Sequence, residues 1–181
     1  MRLKLSRNLI AYGRKIVFNH DTEIAGALKI RSKKDNNGVY VVNADYSSAG
    51  SLQDSDTESS LITFHTHQVK AYTNHGVVVG WPSSQDYISF LEMVAESQAL
   101  YHLIFTVEGI YVLSVSSEWR KAVQNYKLDP KIIEMIRRVY HVDKKTSGVD
   151  VGSYVRYING RKPYVFRVLL LKWDSAVDRI F

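Results

Sequence analysis

The sequence predicts an α/β (α+β) fold in which a mixed β-sheet is flanked by helices. Segments rich in β-branched and aromatic residues alternate irregularly with segments of helical period. Two late strand-like segments are separated only by Glu108 and Gly109, so we expect them to pair antiparallel. The 181 residues, 45% of them hydrophobic, are enough for one domain with a real core and an appended segment.

Three strands are predicted in the first half of the chain. Residues 22–31 and 38–46 favour the pleated state, and we expect them to form a hairpin across the polar turn SKKDNN. Residues 47–60 are rich in Ser and Asp and too poor in apolar residues to pack, as is typical of a flexible loop. A third strand is predicted from Ser60 to His65, and a further loop from Gln68 to Pro82.

A helix and two strands are predicted next. Between Pro82 and about Ala99, apolar residues recur at helical spacing, namely Tyr87, Ile88, Leu91, Val94 and Ala95. The two strands are predicted in residues 100–107 and 109–116.

The rest of the chain predicts an extension of helices and a hairpin. SEWRKAVQNY and the segment after Asp129 are amphipathic, and Pro130 suits the first helical position behind an Asp129 cap. Asn159 and Gly160 separate two alternating segments within residues 154–173, which is the pattern of a β-hairpin. We therefore predict a core over residues 1–117 and an extension over residues 118–181 that packs on it.

The cysteine content, the apolar runs and the charge distribution exclude several classes of function. No cysteine is present, which excludes disulfides, thiolate nucleophiles and zinc ribbons. No apolar run reaches signal-peptide or membrane-spanning length, so we expect an intracellular protein without a membrane role. Residues 1–119 hold 10 Lys and Arg against 12 Asp and Glu, whereas residues 120–181 hold 14 against 6. This basic region is either a solvated face or a surface for an acidic partner, and no motif predicts specific nucleic-acid binding.

The stretch FHTH contains two candidate metal ligands. Side chains two residues apart in a strand point the same way, so His65 and His67 would present both imidazoles to one point. Asp86, at the start of the following helix, is the nearest carboxylate in sequence and a candidate third ligand. An alternative is a capping box, in which Ser83 and Asp86 only satisfy backbone N–H groups of that helix.

Other families that use paired histidines do not fit these residues. Cupin-type sites need a glutamate shortly after the second histidine, where this chain has QVKA. Sites of the metallo-β-lactamase type continue HxHxDH, and Val69 stands at the aspartate position. Amidohydrolase barrels need roughly 250 residues.

The remaining pattern resembles the JAMM metallopeptidases, the MPN-plus branch of the MPN domain family. The resemblance consists of Glu23 in TEIAGALK, the His65 and His67 pair, and Ser83 and Asp86 in PSSQD. The order of elements matches from about residue 3 to residue 116 and implies an MPN-like sheet. This chain departs from the family in two places. Gln68 stands where the family usually has proline, and the gap of fifteen residues between His67 and Ser83, QVKAYTNHGVVVGWP, is longer than the usual gap. In its lengthened gap ending in GWPS, the chain resembles JAMM-like proteins of large DNA viruses. The resemblance therefore implies a viral origin.

The resemblance implies a mechanism. Zinc would be held by His65, His67 and Asp86, and it would lower the pKa of a bound water toward about 7. Glu23 would act as the general base, and Ser83 would donate a hydrogen bond to the developing oxyanion. Taken without the family, Glu23 is typical of an exposed or salt-bridged strand residue.

The resemblance also implies a class of substrate. Members commonly cut isopeptide bonds made by ubiquitin or a ubiquitin-like protein, whose extended tail needs a groove beside the metal. Tyr72 and Trp81 are candidates to contact that tail, although loop aromatics also anchor loops to the core. His75 is a candidate extra ligand. A partner protein or a homo-oligomer is possible in such families, and the alternatives are a non-catalytic MPN scaffold and a nucleic-acid-associated binding module.

Overall fold

The computed structural model of the chain describes residues 2–30, 34–44, 61–97, 99–124, 128–143 and 150–181. The predicted loop over residues 47–60 and part of the SKKDNN turn lie outside the described residues. The strands are β1 (Leu3–Leu5), β2 (Ala25–Ile30), β3 (Tyr40–Ala44), β4 (Ile62–Thr66), β5 (Tyr101–Thr106), β6 (Gly109–Val115) and β7 (Phe166–Leu171). The helices are α1 (Arg7–Asn19), α2 (Val69–His75), α3 (Ser84–Ser97), α4 (Ser117–Val123), α5 (Pro130–Val139) and α6 (Val151–Asn159).

The strands form one mixed sheet in the order β1-β3-β2-β4-β5-β6-β7. The pairs β1–β3 and β4–β5 are parallel, and the other neighbours are antiparallel. The α/β class, the mixed sheet and the two predicted antiparallel pairs, β2 with β3 and β5 with β6, are therefore confirmed. β4 lies in the centre of the sheet, between β2 and β5.

Helices cover both faces of the sheet, and the alternation of β4 assigns its side chains to the two faces. Ile62 and Phe64 pack in the apolar cluster that contains Leu9 and Val17 of α1. The intervening residues of β4, including His65, therefore face the opposite side. That side is covered by α3 to α6, whose buried residues share one cluster with β6 and β7.

Helix α1 was not predicted, because its basic residues obscure the apolar stripe. The Ser6 hydroxyl accepts a hydrogen bond from the Leu9 backbone N–H at 3.1 Å and begins the helix. Gly13 lets this helix approach β5 closely, since a Cβ at that position would lie 2.3 Å from the Phe105 ring. The predicted loop after β4 is wrong in part, because α2 occupies Val69–His75 and ends at Gly76 with a positive φ of 59°.

The first arm of the hairpin predicted over residues 154–173 is wrong. That arm belongs to α6, and only the second arm is a strand, β7, which pairs antiparallel with β6. Residues of helical spacing account for the helix, namely Val151, Tyr154, Val155 and Ile158. Asn159 is the last residue of α6. Its Oδ1 accepts from the Val168 N–H at 2.8 Å, and its Nδ2 donates to the Val168 carbonyl at 2.9 Å. The helical period thus overrides the Asn-Gly pair.

The residues after 117 pack against the rest of the chain. β7 extends the central sheet, and α5 lies beside α3. The predicted Asp129 cap and Pro130 start of α5 are confirmed, since Asp129 accepts from the Lys131 N–H at 2.8 Å. The division of the chain at residue 117 stays a prediction.

Candidate metal centre

Strand β4 brings His65 and His67 to the same side, at the end of the strand nearest the N-terminus of α3. Their Nε2 atoms lie 3.0 Å apart. Both residues are 8% exposed, so the two rings are largely removed from water. Sequence reasoning predicted this pairing from the alternation of a strand, and the structure confirms that the side chains meet.

Asp86 completes a group of three side chains. Its Oδ1 lies 3.3 Å from the Nε2 of His65, and its Oδ2 lies 3.7 Å from the Nε2 of His67. One ligand atom from each residue lies within 4.8 Å of the other two, close enough to hold a metal ion together. Among the described residues, this is the group of acidic and histidine side chains with that property.

Asp86 is also part of a capping box. Its Oδ2 accepts a hydrogen bond from the Ser83 backbone N–H at 2.5 Å, and the Asp86 N–H donates to the Ser83 hydroxyl at 3.3 Å. Asp86 therefore both takes part in a capping box and lies in the group of candidate metal ligands. The capping bond fixes the carboxylate at the start of α3, and its Oδ1 faces His65.

Hydrogen bonds at the far ring nitrogens orient both histidines. The carbonyl oxygen of Gly80 lies 2.7 Å from Nδ1 of His67 and can only accept, so that nitrogen carries the proton. A neutral His67 ring then presents a lone pair at Nε2. Nδ1 of His65 lies 2.7 Å from Nε2 of His102. Donation from His65 to His102 leaves the Nε2 of His65 with a lone pair as well.

His102 of β5 is a supporting residue that sequence reasoning missed. Its Nδ1 lies 2.7 Å from the Thr63 hydroxyl, so a hydrogen-bonded chain runs from Thr63 through His102 to His65. Burial, reinforced by the neighbouring His65, holds the pKa of His102 well below its usual value of 6.5. The ring is thus neutral and can accept the His65 proton. The sequence shows only a histidine within the apolar predicted strand LYHLIFTV, and nothing in the sequence places that strand beside FHTH.

The chemistry and the spacing of the group suit a divalent metal ion. Two imidazole lone pairs and a carboxylate converge on one point. These electron-rich groups repel one another unless a cation or a proton lies between them. Ligand atoms of a tetrahedral zinc site with bonds of about 2.0–2.1 Å lie about 3.3–3.4 Å apart. With Asp86 Oδ1 as the ligand oxygen, the separations of 3.0 Å between the two Nε2 atoms and 3.3 Å from the His65 Nε2 to Oδ1 lie close to that value.

The reversal between β5 and β6 supports the same site. Glu108 accepts a hydrogen bond from the Gly80 N–H at 2.9 Å and one from the Tyr72 hydroxyl at 2.8 Å. Gly80 is the residue whose carbonyl orients His67. A Cβ on Gly80 would lie 1.7 Å from the Tyr72 hydroxyl oxygen, so glycine is required for this close approach. Glu108 and Tyr72 therefore hold the loop that aims His67.

The structure bears on three other predicted residues. Tyr72 has its hydroxyl turned inward, and burial with the nearby Glu108 raises its pKa. Trp81 is fully buried and stacks on Tyr154 with ring centroids 4.8 Å apart, so it anchors its loop to α6. This packing favours the anchoring alternative for Trp81. His75 is exposed on α2 and is not in the metal-binding group of the described residues.

Glu23 and Ser83 flank the group without belonging to it. Glu23 is exposed and precedes β2 by two residues. Ala25 pairs with His65 across the antiparallel strands, so Glu23 continues to the level of His67. The Ser83 hydroxyl accepts the Asp86 N–H, a bond that leaves the hydroxyl proton to be donated elsewhere.

A viral protein is similar to part of this chain. The chain is 31% identical over 103 residues to Uncharacterized protein 3R of Frog virus 3 (isolate Goorha). The match covers 53% of this chain and 23% of the viral protein, so the chain spans under a quarter of that protein. No model of a protein family matches the chain, and no solved structure matches it. Among the described residues, no helix has both the length and the apolar character needed to cross a membrane.

Proposed function

We propose that the chain is a zinc-dependent metallopeptidase of the JAMM type that removes ubiquitin or a ubiquitin-like protein from isopeptide-linked conjugates. The observation that carries the proposal is the convergence of His65, His67 and Asp86 on one point, with their ligand atoms within 4.8 Å. The order Glu23, HxH, SxxD along the chain supports the family resemblance. The similarity to a frog virus protein supports a viral origin.

The ligand residues would hold the metal, and zinc would supply a Lewis acid and an acidic water when bound. Glu23 lies at the level of His67 on the neighbouring chain segment, so its carboxylate is suited to take a proton and pass it to the leaving amine. The Ser83 hydroxyl stands beside the ligand Asp86 and can donate to a developing oxyanion. Both ligand histidines are buried, each with 8% of its surface exposed.

The test uses ubiquitin joined through an isopeptide bond to a fluorescent lysine peptide. The zinc-loaded chain is tested for hydrolysis of that isopeptide bond. We expect release of ubiquitin with a free C-terminal carboxylate. Glu23→Gln should lower kcat by about 100-fold or more while zinc stays bound, because Glu23 moves a proton and binds no metal. Glu118→Gln, an exposed change on α4, is the matched control and should keep full activity.

Two results would contradict the proposal. A folded chain that binds zinc but releases no ubiquitin from this conjugate would favour a non-catalytic scaffold. Loss of zinc in Glu23→Gln, as complete as the loss in His67→Ala, would show that Glu23 has been given the wrong role.

A further inference from the structure

The residues between and after the two ligand histidines face the opposite side of the same extended segment. β4 ends at Thr66, and Gln68 keeps an extended backbone with φ −78° and ψ 156°. The alternation of side chains therefore continues through residue 68. His65 and His67 reach the metal-binding group, whereas Thr66 and Gln68 reach the segment that carries Glu23.

Thr66 and Gln68 together bind both peptide groups that flank Glu23. The Ile24 N–H, on the C-terminal side of Glu23, donates to the Thr66 hydroxyl oxygen at 3.0 Å. The Thr22 carbonyl, on the N-terminal side, accepts from the side-chain amide of Gln68. The same Gln68 nitrogen donates to the Thr66 hydroxyl oxygen at 2.6 Å, which joins the two contacts into one network.

These hydrogen bonds are shielded from water. Thr66 is 0% exposed and Gln68 is 2% exposed. Both protons of the Gln68 amide are used, so neither donor is left unsatisfied in the interior. The Glu23 side chain itself is exposed, and the position of its backbone therefore decides where its carboxylate can reach. A surface ion pair between Lys70 and Asp21, 3.0 Å long and exposed, joins the same two segments and adds little.

We propose that Thr66 and Gln68 are positioning residues for Glu23, holding its backbone at a fixed place beside the metal ligands. The inference rests on the proposed function, because it assigns a role toward the proposed general base. It also gives Gln68 a purpose at the position where the resemblance leads one to expect proline. A proline side chain has no donor and could hold neither Thr22 nor Thr66.

The test uses variants that remove one contact each from the full zinc-loaded chain. Gln68→Met keeps the length of the side chain without its donors, and Thr66→Val keeps the shape without the hydroxyl. We expect each to lower kcat by about 10- to 100-fold, since small misplacements of catalytic groups have effects of that size. KM for the ubiquitin conjugate and zinc content should stay at the wild-type level.

Two further variants separate positioning from folding. Thr66→Ser restores the hydroxyl and should return kcat to near the wild-type value. Gln124→Met, a matched change at the end of α4 remote from Glu23 in the fold, should leave kcat unchanged. Thermal melting of every variant checks that it is folded, and Gln68→Asn replaces Gln68→Met if the latter unfolds.

The outcomes distinguish this inference from the proposed function. Wild-type activity together with wild-type kcat in Gln68→Met and Thr66→Val would overturn the positioning role alone. Loss of zinc in proportion to activity would also overturn it, because these residues would then support the metal ligands. An inactive wild-type chain with zinc bound would overturn both proposals together.

Discussion

Asp86 and Asp150 each accept a hydrogen bond from a backbone N–H at the start of a helix, but the two carboxylates have different neighbours. Asp86 accepts from the Ser83 N–H at 2.5 Å in α3, and Asp150 accepts from the Ser153 N–H at 2.9 Å in α6. The second oxygen of Asp150 accepts the Ser153 hydroxyl at the surface, whereas that of Asp86 lies 3.3 Å from His65. Capping therefore does not compete with a ligand role, because one carboxylate has an oxygen for each.

Replacing each aspartate with asparagine tests this comparison, and we expect the largest effect on zinc affinity from this exchange. Asp86→Asn keeps an oxygen for the capping bond but removes the charge that faces the histidines. We expect zinc affinity to fall by more than about 100-fold, beyond the range of changes that act through outer-shell partners. Isothermal titration with zinc provides the measurement. Asp150→Asn should bind zinc as the wild type does, and equal affinity in the two variants would reduce Asp86 to a capping residue.

His102 and His75 allow a second comparison, between a histidine that is hydrogen-bonded to a candidate ligand and an exposed histidine that is not in the group. His102→Leu removes the partner of the His65 Nδ1 and leaves a buried N–H unsatisfied. We expect zinc affinity to fall by about 10- to 100-fold, the usual effect of removing a hydrogen-bond partner of a ligand. His75→Gln, which changes an exposed histidine on α2, is the control. If His75→Gln weakens zinc binding more than His102→Leu does, α2 supplies a ligand and the assigned group is incomplete.

The smallest expected effect concerns the pH dependence of Asp150. Hydrogen bonds from the Ser153 hydroxyl and N–H lower the pKa of Asp150 from its usual value of 3.8. A lowered pKa in the folded chain means that the contribution to stability is complete above 3.8 and is lost as the pH falls below it. Urea unfolding in chelator should therefore show a difference between wild type and Asp150→Asn near neutral pH that shrinks in acid. A difference that grows in acid would contradict this assignment.

Sequence reasoning succeeded where spacing determines side-chain placement. The HxH and SxxD patterns predicted three residues that the fold brings together, because strand alternation and helix capping are local rules. It failed at Asn159, where a hairpin signal competed with the helical period of the residues before it and lost. His102 could not be identified as a support, since its partner Thr63 is 39 residues away and only the parallel pairing of β4 and β5 joins them.

The role of the positioning pair also required the fold. In the sequence, Gln68 is only a departure from the family pattern. Its contact with Thr22 joins the residues that follow β4 to the residues that precede β2. No periodicity within either segment predicts such a bond. The general lesson is that ligands follow from local patterns, whereas the residues that orient ligands and bases follow from strand order.

The zinc content of the purified chain tests the assigned metal centre directly. The protein is loaded with zinc, dialysed exhaustively and analysed by mass spectrometry for bound metal, alongside His67→Ala. We expect about one zinc per wild-type chain, as a site with three protein ligands requires, and almost none in His67→Ala. A folded wild-type chain that retains no zinc, or a His67→Ala chain that retains as much as the wild type, would contradict the assignment of His65, His67 and Asp86 as a metal centre.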